Sequence, residues 1–292
     1  MSRKTFFALG VGLLLGFGLT LSVGADDTAL ERSGYALTTL DGSGNVGRFS
    51  SVTIGADGLG LISYFDATNA DLKVAHCSDL ACTAATLTTL TFLKSEDNDG
   101  QFTSVTSAGG RGVISYYDST DQVLKLALCP DLACTEATIT TTPDRAGNVG
   151  QYTSVTIGTD GLALISYYDA TTGDLKVAHC SDSACTAATR TTLQSEDNVG
   201  QYSSVTIGTD GLALISYYDA TNGDLKVAHC SDSTCIEATL TTVDRTGDVG
   251  QYISVTIGTD GLALIGYYDA TNGDLKVAHC SDLFCVPYHR RR

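Results

Sequence analysis

The sequence predicts an all-β fold, a five-bladed β-propeller with four antiparallel strands in each blade. The first observation behind this prediction is a string, ISYYDATNGDLKVAHC at residues 215–230, which occurs five times in closely related forms. The second is its spacing: the first cysteines of five Cys-x4-Cys pairs lie 52, 51, 50 and 50 residues apart. A period near 50 residues is typical of propellers and solenoids. The third is that the two ends of the chain supply complementary parts of one repeat.

One repeat contains four short segments with the composition of β-strands. They are rich in Val, Ile, Thr and Tyr and are bounded by turn residues. The dipeptides Asp210-Gly211 and Asn222-Gly223 are favoured in two-residue type I′ hairpin turns, because both central residues of that turn need positive φ. The sequence therefore predicts two tight hairpins in each blade. In the fourth copy the predicted strands, named A to D in chain order, are residues 201–208, 212–221, 224–230 and 235–243.

The ends of the chain predict how the ring closes. Residues 35–47 match residues 237–250, so the N-terminal segment corresponds to an outer strand D without its own strands A to C. The last copy supplies strands A to C and ends shortly after Cys285. A strand from residues 36–41 that completes the last blade would close the ring and cover its edges. An open solenoid would instead carry distinct capping repeats.

Residues 1–25 are predicted to form a secretory signal peptide that is removed from the mature protein. Arg3 and Lys4 precede an apolar run at 6–21, and the small residues Val-Gly-Ala at 23–25 form a cleavage pattern. An uncleaved membrane anchor is the alternative, because about twenty uncharged residues can span a bilayer. The other predicted segments are a short lead at 26–34, the propeller at 35–285 and a basic tail at 286–292.

The chain is strongly acidic, with 17 basic and 33 acidic side chains and a formal net charge of −16. Nucleic acid and anionic membrane surfaces do not suit it as partners, because both require a positively charged surface on the protein. Together with the predicted signal peptide, the acidic composition indicates a protein that is secreted, periplasmic or on the cell surface. The sequence leaves its oligomeric state open.

All ten cysteines occur in Cys-x4-Cys pairs, which in an exported chain indicates a disulfide framework. Zinc is the alternative, because a histidine precedes the first cysteine of four pairs. Adjacent residues on a strand point to opposite faces, so such a histidine and cysteine cannot both face one metal ion. The predicted disulfides are therefore local: Cys77–Cys82, Cys129–Cys134, Cys180–Cys185, Cys230–Cys235 and Cys280–Cys285.

A repeated row of Tyr, Asp and Lys is the candidate functional feature. If the Asp-Gly and Asn-Gly dipeptides form two-residue turns, Asp219 faces Tyr202 on strand A and Lys226 on strand C. Such a row is either a structural cross-strand ion pair or a surface that contacts a ligand. The candidate ligand-binding residues are Tyr152, Asp169, Lys176, Tyr202, Asp219, Lys226, Tyr252, Asp269 and Lys276.

The stretch ISYYD…NGDLKVA resembles the repeat units of exported bacterial β-propeller proteins of unassigned function. The resemblance covers roughly residues 35–285. Five near-equal blades are also similar to the architecture of tachylectin-type lectins, in which each blade carries a sugar site. The likeness to lectins implies an extracellular glycan or another surface ligand as the partner. It concerns architecture, since no lectin motif maps onto this sequence residue by residue.

The function expected from the sequence is multivalent, lectin-like or adhesin-like binding, with several weak sites on one chain. Tyrosine offers a flat apolar face and a hydroxyl, and aspartate accepts hydrogen bonds from hydroxyl groups. A structural or assembly protein of the cell surface, without a small-molecule ligand, is the alternative. An enzyme is not predicted. A glycoside hydrolase needs two carboxylates in different environments, whereas here nearly every carboxylate recurs by symmetry.

No cofactor is predicted, and calcium is left open. The sequence DATNGD departs from the EF-hand loop, because its glycine is at the fifth position and a cysteine occupies the twelfth. Loop acids such as Glu196 and Asp197 could still supply oxygen ligands.

Overall fold

The chain forms a five-bladed β-propeller built from antiparallel sheets, as the sequence predicts. The computed structural model describes residues 37–90, 99–135, 138–141 and 144–286. These residues contain nineteen strands, and none of them lies in a helix that could cross a membrane. The predicted signal peptide, the lead at 26–34 and residues 287–292 of the basic tail lie outside the described residues.

The strands follow one another in chain order within each blade. Blade one contains β1 (Val46–Ile54), β2 (Gly60–Asp66), β3 (Asp71–Cys77) and β4 (Ala85–Thr89). Blade two contains β5 (Asp99–Ala108), β6 (Arg111–Asp118), β7 (Val123–Leu128) and β8 (Thr138–Thr141). Blade three contains β9 (Val149–Ile157), β10 (Ala163–Asp169), β11 (Asp174–Cys180) and β12 (Ala188–Gln194). Blade four contains β13 (Val199–Ile207), β14 (Ala213–Asp219), β15 (Asp224–Cys230) and β16 (Ala238–Asp244). Blade five contains β17 (Val249–Ile257), β18 (Ala263–Asp269) and β19 (Asp274–His279).

The fifth blade differs from the prediction. Four blades have four strands, but the fifth sheet has three within the described part of the chain. Residues 37–41 form no strand there, and the only strand that pairs with β19 among the described residues is β18. The predicted closure of the ring by residues 36–41 is therefore not confirmed.

The hairpin between strands B and C has a longer turn than predicted. Asp219 pairs with Asp224, and the Gly223 N–H donates to the Asp219 carbonyl at 2.8 Å, so four residues form the turn. The cause is the Asp219 carboxylate, which accepts the N–H groups of Thr221 and Asn222 at 3.1 and 3.0 Å. The predicted two-residue turn was wrong. The observed pairing of strands B and C is shifted by two residues from the predicted register, so every side chain stays on its predicted face.

The hairpin between strands A and B also departs from the predicted register. Asp219 pairs with Val199 instead of Tyr202. The predicted two-residue turn was wrong here too, because the Gly208 N–H donates to the Leu212 carbonyl and three residues lie between this pair. A β-bulge in β13 between Val199 and Ser204 adds the rest of the shift. Gly200 has φ +101, and a Cβ there would meet the Leu175 Cα of the preceding blade at 2.8 Å. This glycine therefore lets the bulged strand approach its neighbour closely.

The core consists of apolar layers between adjacent blades. At the third interface, Leu175 and Val177 of blade three pack with Ile215 and Tyr217 of blade four, and all four are fully buried. Each inner blade is covered on both faces, so its strands B and C are mostly buried on both sides. Burying each such side chain contributes about 1.5 to 3 kcal/mol. Each of the four clusters of buried residues joins two adjacent blades.

The five predicted disulfides are confirmed. Each Cys-x4-Cys pair is bonded to itself, with Cα–Cα distances between 4.6 and 4.9 Å. In blade three the Cys185 N–H donates to the Asp182 carbonyl at 3.0 Å, which turns the chain back toward Cys180. Five disulfides indicate an oxidising environment.

Candidate functional site

Five aromatic side chains form a continuous arc along the innermost strands of the propeller. The A strands β1, β5, β9, β13 and β17 of successive blades lie next to one another. Each contributes one ring at an equivalent position, and neighbouring ring centroids are 4.6, 4.6, 4.6 and 4.7 Å apart. The members of this set, called the axial arc, are Phe49, Phe102, Tyr152, Tyr202 and Tyr252.

The backbone of every axial-arc residue is in the left-handed region. The φ angles lie between 51° and 53°, which bulky side chains rarely adopt. The conformation follows from the bulge in each A strand, and it costs about 1 to 2 kcal/mol at a non-glycine residue. Strain of this kind persists where the surrounding structure enforces it, and it clusters at functional sites. The axial arc is therefore the leading candidate for a binding surface.

A second set of aromatic residues supports the axial arc from strand B. Tyr152 contacts Tyr168, and Tyr202 contacts Tyr218, with centroids 6.2 and 6.1 Å apart. The Tyr168 hydroxyl donates to Asn198 Oδ1 of the next blade at 2.7 Å. The supporting hydroxyl groups are thus engaged between blades, and they hold the inner rings in position.

The axial arc borders an open cavity of about 200 Å³. Burial raises the pKa of Tyr152, and burial with the neighbouring tyrosines raises the pKa of Tyr202. Both hydroxyl groups are consequently protonated at neutral pH and can donate hydrogen bonds. The cavity combines aromatic faces with polar hydroxyl groups. Its other lining residues, one after each arc residue, are Ser50, Thr103, Thr153, Ser203 and Ile253.

The structure separates the residues of the predicted Tyr–Asp–Lys rows. The three tyrosines meet in the axial arc, whereas Asp169, Asp219 and Asp269 are buried. The carboxylates of Asp219 and Asp269 also accept N–H groups of their own B–C turns. Lys226 does remain near Asp219, with Nζ 3.6 Å from Oδ2. Two parts of each row thus stabilise the blade, and the tyrosine part reaches the cavity.

A carboxylate in the loop between strands D and A was missed from the sequence. Asp144 Oδ2 accepts the Tyr167 hydroxyl at 2.6 Å and lies 2.6 Å from Lys176 Nζ. Burial would raise the pKa of Asp144, but the hydrogen bonds from Lys176 and Tyr167 hold it below its usual range. Asp244 with Lys276 is an equivalent pair. The signal that could have found them is a constant separation of 32 residues from acid to lysine.

The histidines that suggested a zinc site are hydrogen-bonded to aspartates of the A–B turns. His179 Nε2 lies 2.8 Å from Asp160 Oδ2, and His76 Nε2 lies 2.8 Å from Asp57 Oδ2. Within the described ranges no three metal-ligating side chains come together. These pairs join strand C to the A–B turn.

Several solved structures are similar to this chain in fold. No protein-family model matches the sequence, and no curated protein does. A Hadza microbial sialidase is similar with a TM-score of 0.58 and 14% identity, covering 80% of this chain and 56% of that one. The intramolecular trans-sialidase from Ruminococcus gnavus, in complex with oseltamivir carboxylate, is similar with a TM-score of 0.53 and 17% identity. The match covers 75% of this chain and 52% of that one. The α-L-arabinofuranosidase from Lactobacillus brevis is similar with a TM-score of 0.51 and 10% identity. The match covers 80% of this chain and 90% of that one.

These similarities show the fold alone, because the sequence identities are low. The chain spans about half the length of the two sialidases.

Proposed function

We propose that this protein binds an extracellular glycan at the axial arc. The observation that supports this most strongly is the set of five aromatic rings held in left-handed backbone positions beside one open cavity. A sugar ring has apolar C–H faces that pack on aromatic rings and hydroxyl groups that bond to tyrosine. Carbohydrate-active propellers among the structurally similar proteins favour the same class of ligand.

The spacing of the rings favours one site on each chain. Neighbouring centroids are 4.6 to 4.7 Å apart, which leaves no room for a sugar between two rings. The axial arc therefore offers a single continuous surface to one glycan segment. Multivalent binding, which the sequence led us to expect, then requires several chains on one surface.

Binding without bond cleavage fits the lining of the cavity better than hydrolysis does. Glycoside hydrolases commonly use two carboxylates, and some sialidases use a tyrosine nucleophile. Here the lining consists of aromatic rings, hydroxyl groups and Ile253. A nucleophilic tyrosine would need a lowered pKa or an adjacent base. Burial acts in the opposite direction on Tyr152 and Tyr202.

Export is part of the proposal. Five disulfides require an oxidising compartment to form and persist. Removal of residues 1–25 would leave a secreted, periplasmic or surface-bound propeller. N-terminal sequencing of the exported protein should begin at Asp26, and a retained residue 1 would support a membrane anchor instead.

A glycan array followed by calorimetry tests the binding proposal. A hit ligand should bind with one site per chain, and Tyr202→Ala or Tyr252→Ala should weaken binding about two- to tenfold, the value of one aromatic contact. Leu80→Ala, an exposed residue of a C–D loop, is the matched control. Unchanged affinity in both tyrosine variants would exclude the axial arc. Release of reducing sugar from the hit ligand would identify an enzyme.

A further inference from the structure

The blades pack against one another through one repeated set of positions. At the fourth interface, Leu225 and Val227 on strand C of blade four are fully buried against blade five, where Ile265 on strand B is buried too. At the second interface, Val155 on strand A of blade three is 6% exposed against blade two. Each interface therefore joins a B–C face of one blade to an A–B face of the next.

The two halves of a fifth such interface are exposed. On blade five, Leu275 and Val277 correspond to Leu225 and Val227, but they are 82% and 59% exposed. On blade one, Val52 corresponds to Val155, but it is 67% exposed. Two complementary apolar surfaces therefore lie open at opposite ends of the chain of blades. We call them the blade-five face and the blade-one face.

The ends of the axial arc show that, among the described residues, these two faces do not meet within one molecule. Tyr252 is 69% exposed and Phe49 is 41% exposed, whereas Tyr152 and Tyr202 are partly buried between two neighbours. If the ring closed with the same packing that joins successive blades, Tyr252 would contact Phe49 as Tyr202 contacts Tyr252. The structure is instead an open arc of blades.

We propose that the blade-five face of one copy of this chain binds the blade-one face of a second copy. The four interfaces within the chain show that these two surface types fit each other. Such a contact joins two different surfaces head to tail. It therefore generates either a larger ring or a filament, depending on whether the rotation closes.

Polar groups at the two faces match as they do inside the chain. The Val255 N–H donates to Ser204 Oγ of the preceding blade at 3.2 Å, and the Val205 N–H donates to Ser154 Oγ at 3.1 Å. Ser254 is the equivalent serine on blade five. It would accept the Val52 N–H of the second copy.

The open edge of β19 has a matching strand in the second copy. Strand β16 ends at Asp244, five residues before β17 begins, and Asp41 lies five residues before β1 begins. A docked blade one therefore brings residues 38–41 beside β19, in the place that β16 takes beside β15. Unpaired strand edges readily accept a strand from another chain.

One position on the blade-five face lacks a hydrogen bond that the first three interfaces contain. Ser166 Oγ of blade three lies 2.9 Å from Ser203 Oγ of blade four. On blade five the equivalent residue is Gly266, where a Cβ would meet nothing within 4 Å. Gly266→Ser would restore the bond with Ser50 of a second copy. It should tighten association about two- to tenfold, as expected for one added hydrogen bond.

Sedimentation velocity of the mature chain over a range of concentrations tests this proposal. The wild-type mass should rise with concentration, whereas Val52→Asp and Leu275→Asp should each stay monomeric. Each variant retains one intact face, so an equimolar mixture should form a dimer and nothing larger. Leu80→Asp, on an exposed loop, should assemble like the wild type. Circular dichroism checks that the variants are folded.

A monomeric wild type at all concentrations, with no dimer in the mixture, would overturn the proposal in favour of a ring that closes on itself. A mixture that grows beyond a dimer would overturn the assignment of the two faces. In the sugar-binding assay, Tyr202 lies between two neighbouring rings and away from both faces, so the two proposals can fail separately.

Discussion

Tyr152 and Tyr202 are fifty residues apart in the chain, yet their ring centroids lie 4.6 Å apart. Each ring extends from a bulged strand at a left-handed backbone position. A repeated sequence thus becomes a continuous aromatic surface, because every blade places its ring next to that of its neighbour. This relationship connects the fold to the proposed glycan site.

The left-handed backbone at position 202 predicts an inverted preference between glycine and alanine. Tyr202→Gly should be more stable than Tyr202→Ala by about 1 kcal/mol, because glycine has no Cβ to strain at φ +53. Urea unfolding of both variants measures the difference. The same two substitutions at Ser204, where φ is not positive, are the control. There the alanine variant should be the more stable one. Equal stabilities at position 202 would contradict the strained conformation.

Acid should destabilise the protein through Asp244. Burial would raise the pKa of Asp244, but hydrogen bonds from Lys276, Thr246 and Tyr267 lower it from 3.8 to about 2. The unfolded state then binds the proton more tightly, so the contribution of this group is present above about pH 4 and is lost as the pH falls toward 2. Urea midpoints between pH 6 and 2.5 should fall less steeply for Asp244→Asn than for the wild type. Parallel curves would contradict the lowered pKa.

The two types of lysine environment should differ in energetic importance. Lys176 lies near two buried carboxylates, Asp144 and Asp169, whereas in blade four Gln194 replaces the loop acid and Lys226 lies near Asp219 alone. Lys176→Met should therefore cost about 3 to 5 kcal/mol, the usual cost of leaving buried charge uncompensated. Lys226→Met should cost less. Chemical denaturation of both variants measures the difference, and equal losses would argue against a role for Asp144.

Each disulfide should act as a local constraint. Replacing Cys180 and Cys185 together by alanine should lower the free energy of unfolding by about 2 kcal/mol, because the closed loop is short. The same double substitution at Cys230 and Cys235 should cost a similar amount. Peptide mapping of the unreduced protein should recover the other four pairs intact. Scrambled pairs in either variant would show that the bridges depend on one another.

Features that depend on neighbouring residues could be predicted from the sequence alone. The repeat period, the four strand segments and the five disulfides all follow from local composition and short spacing. A cysteine pair five residues apart on one hairpin has only one geometrically simple partner. Even the contact between Asp219 and Lys226 survived a wrong turn length, since a shift of two residues keeps both side chains on one face.

The sequence by itself thus determined the blades, their number and their internal bonds. Only the tertiary structure decided where Tyr202 lies, because a bulge of the backbone moved it away from Asp219 and toward Tyr152 and Tyr252. It also decided that the blade-one and blade-five faces lie open. The physical reason is that the contacts of Tyr202 and the exposure of the two faces depend on how successive blades pack, and that packing joins residues about fifty positions apart.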